Sequence, residues 1–135
     1  MYVAGTFSGN ADFDPSTSVF NLNSATTADD IFLAKYSPSG SFIYAKRIGG
    51  PGTKGVGGLV IDNSGFVYMC GGFNGTTDFD PSISVNALTS ISNTDDGFFA
   101  KYDFNGNLIY VNRIGSSGSE SASSIAINSG GNLYI

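Results

Sequence analysis

"YMCGGFNGTTDFDPS", Tyr68 to Ser82, restates "YVAGTFSGNADFDPS", Tyr2 to Ser16, at a displacement of 66 residues (68 − 2 = 66). Sliding the whole chain by 66 aligns it with itself without a gap, and 28 of the 66 aligned pairs are identical. "DDIFLAKYSPSGSFIYAKRIGG" (Asp29 to Gly50) lies over "DDGFFAKYDFNGNLIYVNRIGS" (Asp95 to Ser116). Self-similarity at a fixed period marks a repeat architecture, whose units leave apolar faces for their neighbours to cover. Two periods fill 132 of the 135 residues (2 × 66 = 132), and Leu133, Tyr134 and Ile135 restart the strand that begins at Val67 and at Met1. The expected divisions are 1–66, starting within a strand, 67–132, and the first strand residues of a following repeat at 133–135.

Composition sets the class. Nineteen glycines, 41% hydrophobic residues, 13% aromatic and 13% charged describe a turn-rich, β-rich globular chain; disorder needs lower hydrophobicity and more charge, and long helices favour Ala, Leu, Glu and Lys. The net charge of −5, from six basic and eleven acidic residues, offers no basic stripe to a phosphate backbone, so no nucleic-acid partner is expected. No apolar run approaches the roughly 20 residues of a spanning helix, so no membrane insertion is expected, and "MYVAGTFSG" lacks the form of a signal peptide. Cys70 is alone, with Ala4 as its counterpart one period earlier, and reads as a buried small hydrophobe. With no histidine in the chain it also lacks the usual base for thiol catalysis.

The strand signals are short and punctuated. Phe66–Phe73, Val85–Leu88, Gly97–Tyr102, Leu108–Ile114 and Ser124–Asn128 are rich in aromatic and β-branched residues and bounded by Gly, Asn, Asp, Ser or Pro,. "FNGNL" is the best turn, with Asn105 and Gly106 expected at the positive φ of a tight hairpin. "SPSGSF", "DNSGF" and "NSGGNL" mark further turns. A meander of four or five antiparallel strands per period follows. In "IFLAKY" (Ile31 to Tyr36) both strand faces carry apolar groups, as expected when a small sheet is covered on both sides. Radial or stacked packing of successive sheets does this. The fold class is therefore all-β, with β-propeller blades of about four antiparallel strands per repeat and a β-solenoid-like stack as the alternative.

"VYMCGGFNGTTDFDPS", "DDGFFAKYDFNGNLIYVNRIGS" and "SIAINSGGNLYI" together resemble the SBBP type of bacterial β-propeller repeat, over essentially the whole chain, twice. The carrying elements are G-x-F-x-G-x-x-D-F-D-P, D-x-F-x-A-K-Y, the Gly-Asn turn and the R-I-G strand end. Tyr44 and Tyr110 stand where such repeats often carry Trp, and Met69 and Cys70 replace a common Val-Thr pair. The resemblance implies one propeller blade per repeat, many repeats in one chain, and an extracellular or cell-surface setting. A propeller closes with about four to eight blades, so two blades leave apolar faces for partners. Those partners are further blades of a longer parent chain, or identical copies joining head to tail into rings or fibres; both stay open.

Asp12, Asp14 and Ser16, with Asp78, Asp80 and Ser82, have a D-x-D-x-S spacing that can aim oxygens at Ca²⁺. They are the candidate metal residues and Ca²⁺ the only candidate cofactor. The EF-type loop, however, wants Gly at its sixth position and Glu at its twelfth, where this chain has Thr17 or Ile83 and Asn23 or Thr89. The structural reading is the stronger: the Phe anchors the corner, proline fixes an extended exit and the carboxylates accept backbone N–H bonds. Asp29, Asp30, Asp95 and Asp96 are expected to cap turns and pair with Lys35, Lys101, Arg47 or Arg113 as exposed pairs, worth about 0–1 kcal/mol. Glu120, opposite Lys54 in the alignment, reads as a variable exposed position. A glycosidase needs two carboxyls roughly 5–10 Å apart with one pKa raised, and identical recurrence of the acids argues against such a site. No enzyme activity is expected. Tyr36, Tyr44, Tyr102 and Tyr110 could stack on sugars or peptides, though packing between sheets is their stronger reading. The expected function is a structural or binding scaffold, possible ligands being glycans or proteins; self-assembly is the alternative, and a carbohydrate-active enzyme the distant one.

Overall fold

The computed structural model describes all 135 residues. In chain order its strands are β1 (Tyr2–Phe7), β2 (Asn10–Asp12), β3 (Asn21–Asn23), β4 (Asp30–Tyr36), β5 (Phe42–Ile48), β6 (Lys54–Ile61) and β7 (Val67–Phe73). There follow β8 (Thr76–Asp78), β9 (Ala87–Thr89), β10 (Asp96–Tyr102), β11 (Leu108–Ile114), β12 (Ala126–Ile127) and β13 (Leu133–Tyr134). A three-residue 3₁₀ turn at Ile91–Asn93 is the only helical element, and no helix is long and apolar enough to cross a membrane.

The chain is all-β. A four-stranded sheet has the order β11-β10-β7-β6, a three-stranded sheet the order β1-β4-β5, and β2-β3, β8-β9 and β12-β13 form two-stranded ladders. Every pairing is antiparallel, and no sheet closes on itself. A shift of 66 places β1, β4 and β5 on β7, β10 and β11, so the smaller sheet repeats the larger one without a β6. The four-stranded sheet spans Lys54 to Ile114 and so crosses position 66, because β6 folds back on β7 through the Asp62–Phe66 turn.

Period-2 geometry sends successive side chains of β7 and β10 to opposite faces, and each face meets a different neighbour. Val67, Met69, Phe73, Phe98, Ala100 and Tyr102 form one core with Ile31, Leu33 and Ile48 of the three-stranded sheet. Tyr68 and Cys70, on the other face, form a second core with Ala122 and Ile125. Burial of such side chains contributes about 1.5–3 kcal/mol each, and this two-sided burial is why the strands read apolar throughout. β6 approaches the next segment closely: a Cβ on Gly57 would lie 2.0 Å from the carbonyl oxygen of Ala122. Only glycine fits there.

Four hairpins share one turn. Ser37, Asp62, Asp103 and Asn128 each accept, through the side chain, the N–H four residues on. Gly40, Gly65, Gly106 and Gly131 follow at φ of 87°, 85°, 78° and 82°. Positive φ falls on the glycine alone; Asn105, expected to share it, instead donates its N–H to Asp103 Oδ1 at 2.8 Å. An Asx-type bond closes the turn from its first residue, so the second asparagine-like position needs no left-handed backbone.

Candidate functional site

The DFDPS corners are built alike in both copies. Asp12 Oδ1 accepts the N–H groups of Asp14 (3.0 Å) and Phe20 (2.8 Å), and Asp78 Oδ1 those of Asp80 (3.1 Å) and Asn86 (2.9 Å). Asp14 Oδ1 accepts from Ser16 N–H, and Asp80 Oδ1 from Ser82 N–H, both at 2.9 Å. The bonds from Phe20 and Asp14 hold the Asp12 carboxyl below the ordinary carboxylate range. Between the acids, Phe79 is fully buried against Phe73 and Phe98 at centroid distances of 5.5 and 4.8 Å. Phe13 meets Phe7 and Phe32 at 5.5 and 4.9 Å. The tyrosine of A-K-Y ties each corner down: Tyr36 donates to the carbonyl of Phe13 at 2.9 Å and Tyr102 to that of Phe79 at 3.1 Å. Burial raises the pKa of both phenols.

The four candidate metal residues all stand in these corners. Asp12, Asp14, Asp78 and Asp80 each give one carboxylate oxygen to backbone donors, and no three or more His, Cys, Asp or Glu side chains converge as a metal-binding group. The second corner is also a joint. Asp78 exchanges backbone bonds with Gly49, N–H to carbonyl at 2.9 and 3.2 Å, so the corner of one repeat is stitched to the R-I-G end of the repeat before it.

The paired acids ahead of β4 and β10 depart from the expectation of exposed ion pairs. Asp29 and Asp95 are exposed, but Asp30 and Asp96 are completely buried. Asp30 Oδ2 accepts from Ala25 N–H (2.7 Å) and Arg47 (3.1 Å), and Oδ1 from Gly50 N–H (3.3 Å) with Lys54 Nζ at 3.2 Å. Room for it comes from Gly49, whose added Cβ would lie 2.4 Å from the Asp30 Cγ; Gly115 stands likewise 2.2 Å from that of Asp96. The motifs D-D and R-I-G are thus the two halves of one buried contact. Lys35 and Lys101 take no part in it. Lys35 lies over the Tyr2 ring (5.0 Å) and Lys101 over those of Phe66 (4.2 Å) and Tyr68 (4.9 Å).

Lys54 enters the sequence reading only as the counterpart of Glu120, a position read there as variable and exposed. Far from being a variable exposed position, its side chain is fully buried. Besides Asp30, Nζ donates to the carbonyls of Gly50 and Gly52 at 2.7 Å and of Asp29 at 3.2 Å. Lys54 opens β6 of the four-stranded sheet and reaches Asp30 of the three-stranded sheet, so it bolts one sheet to the other. A faint signal existed: Lys54 is the only charge between Arg47 and Asp62, where a glycine-rich strand gains nothing from an unpaired cation.

The equivalent place in the next repeat is different. Asp96 Oδ2 accepts from Ile91 N–H at 3.0 Å and has Arg113 Nε at 3.4 Å, but Oδ1 has no hydrogen-bond partner. Glu120, at the position of Lys54, turns its carboxylate to Ser116 N–H and Oγ, both at 2.7 Å. Among the candidate aromatics, Tyr102 is core, and Tyr36, Tyr44 and Tyr110 are half-buried. Tyr44 packs on the inter-sheet core, and burial raises its pKa; Tyr110 meets Phe99 at 6.3 Å. The broadest concavity is an open trough of about 510 Å³ between β6–β7 and residues 121–123, lined by Thr53, Gly55, Gly57, Gly72, Asp95 and Ser121 among others. A scan against protein-family models gives no match to this chain, and no curated protein matches it.

Proposed function

We propose that the chain is a run of SBBP-type β-propeller blades serving as a non-catalytic structural or binding scaffold of a secreted or cell-surface bacterial protein. The observation that carries this reading is the coverage of the four-stranded sheet on both faces, by the three-stranded sheet on one and by the segment of Ala122 and Ile125 on the other. A unit that uses both faces for its neighbours keeps only its loops and strand ends for ligands, as rigid scaffolds with variable loops do. The trough beside β6 is such a place, open and lined by glycines and small side chains together with Val56 and Phe73, a surface on which a glycan or a protein segment could rest. The corner acids each give an oxygen to backbone donors and Asp30 and Asp96 lie buried, which favours a structural use of these carboxylates.

Tandem copies of residues 54–119 test the architecture. Electron microscopy of chains with about four to eight copies should show closed rings, whereas an open superhelix that lengthens with each copy would replace the propeller by a solenoid. Glycan arrays test the role: binding without turnover is expected, and polysaccharide cleavage abolished by Asp95→Asn would overturn it. A second reading rests on β1, which pairs only with β4, while its counterpart β7 pairs with both β10 and β6. An open strand edge recruits further strands, so copies of this chain would associate through β1. Light scattering across a concentration series would show discrete multimers in that case and a monomer otherwise.

A further inference from the structure

The two buried acids are structural twins with opposite charge environments. Asp30 has Asp29, Arg47 and Lys54 as its charged set, two acids against two bases; the aligned set at Asp96 is Asp95, Arg113 and Glu120, three acids against one base. The exchange of Lys54 for Glu120 removes one positive charge and adds one negative. At the first site an ammonium lies 3.2 Å from Asp30 Oδ1 and 2.7 Å from the carbonyls of Gly50 and Gly52. At the second, Asp96 Oδ1 is completely buried and unpartnered. Arg113 faces only the other oxygen, at 3.4 Å from Oδ2, and a buried acceptor left unsatisfied is costly. The Glu120 backbone is tied to the residue before Asp96, its N–H donating to the carbonyl of Asp95 at 2.7 Å.

We infer that the Asp96–Glu120 site binds a hard divalent cation, Ca²⁺ above all, in the role that the Lys54 ammonium plays at Asp30. One divalent ion restores the two charges lost in the exchange. The donors would be oxygens: Asp96 Oδ1, which has no partner, the Glu120 carboxylate, which would exchange its bonds to Ser116 for the ion, and carbonyls of the Ser116–Gly118 loop; an irregular oxygen set suits Ca²⁺ better than octahedral Mg²⁺. This site is separate from the DFDPS corners, and it does not depend on the propeller reading.

The test is thermal unfolding of the chelator-stripped chain against CaCl₂, with NaCl at matched ionic strength as control. Tm should rise with Ca²⁺ over the range set by a Kd of about 10⁻⁴–10⁻³ M, typical of sites with few protein carboxylates, and more than with MgCl₂. Glu120→Lys should raise Tm without calcium and abolish the calcium response, since it supplies the ammonium of the twin site; Glu120→Gln should weaken the response without that gain. The inference is overturned if Tm is unmoved by about 10 mM CaCl₂, or if NaCl moves it equally. It is likewise overturned if the response survives Glu120→Lys and is lost in Asp14→Asn with Asp80→Asn.

Discussion

Replacing Lys54 by methionine keeps most of the stem's volume and removes the ammonium. In the folded chain that ammonium satisfies Asp30 Oδ1 and the Asp29 carbonyl across the sheet boundary, and the carbonyls of Gly50 and Gly52 in the loop before it. Asp30 keeps Arg47 and two N–H donors, but Arg47 is partly exposed, at 40% of its side chain, and the oxygen facing Lys54 loses its charged partner. Breaking a buried pair from one side costs about 3–5 kcal/mol, most of it the desolvation of the stranded charge. At about 3–4 °C per kcal/mol for a chain of this size, Tm should fall by about 10–20 °C. Urea unfolding followed by circular dichroism reads the same loss as a lower midpoint. Adding Asp30→Asn removes the stranded charge, so the double variant should be more stable than the sum of the single losses implies, by about 1–3 kcal/mol. A loss under about 1 kcal/mol, the range of exposed pairs, would refute the reasoning and return Lys54 to the surface.

Phe79→Ala should cost about 3–5 kcal/mol by urea unfolding, and Phe13→Ala distinctly less, because Phe79 is fully buried and Phe13 only half-buried; equal losses would contradict the unequal packing of the two corners. Gly49→Ala should destabilise by more than the about 0.5–1 kcal/mol that alanine normally adds in a strand, since its Cβ would meet the Asp30 carboxylate at 2.3–2.5 Å, and the Asp30→Ala background should relieve much of that clash. Burial raises the Cys70 thiol above its usual 9.0 and the Tyr102 phenol above its usual 10.0, so the folded chain holds protons that the unfolded chain releases. Their contribution is full below pH 9.0 and falls as pH rises through 9.0 and 10.0,. Cys70→Ala, which restores the residue of the first repeat, should move the onset of alkaline loss upward in a urea-midpoint series. The native thiol should also resist alkylation until the chain unfolds.

Class and period were legible because they are local properties of the chain. Short runs of aromatic and β-branched residues broken by Gly, Asp and Asn signal strands and turns wherever they stand. A displacement of 66 that aligns without a gap needs no structure to be seen. The doubly apolar "IFLAKY" announced coverage on both faces for the same reason, and the anchoring role of Phe13 and Phe79 followed from an apolar residue trapped between two turn-forming acids.

Partnership between repeats was not legible, because its two halves are far apart in sequence and each half looks ordinary. Nothing near "DDIF" says that the second acid will be buried, nor that Gly49 is small to admit it. Nor does anything near "GTKG" say that the lysine will reach into the preceding sheet. The alignment of Lys54 with Glu120 suggested a position free to vary, whereas burial makes the same exchange a difference of two charges at a buried carboxylate. By itself the sequence determined an all-β repeat with its turns and corner anchors. Only tertiary packing decided which polar groups leave water, since the cost of burying a charge is set by what the neighbouring sheet brings to it.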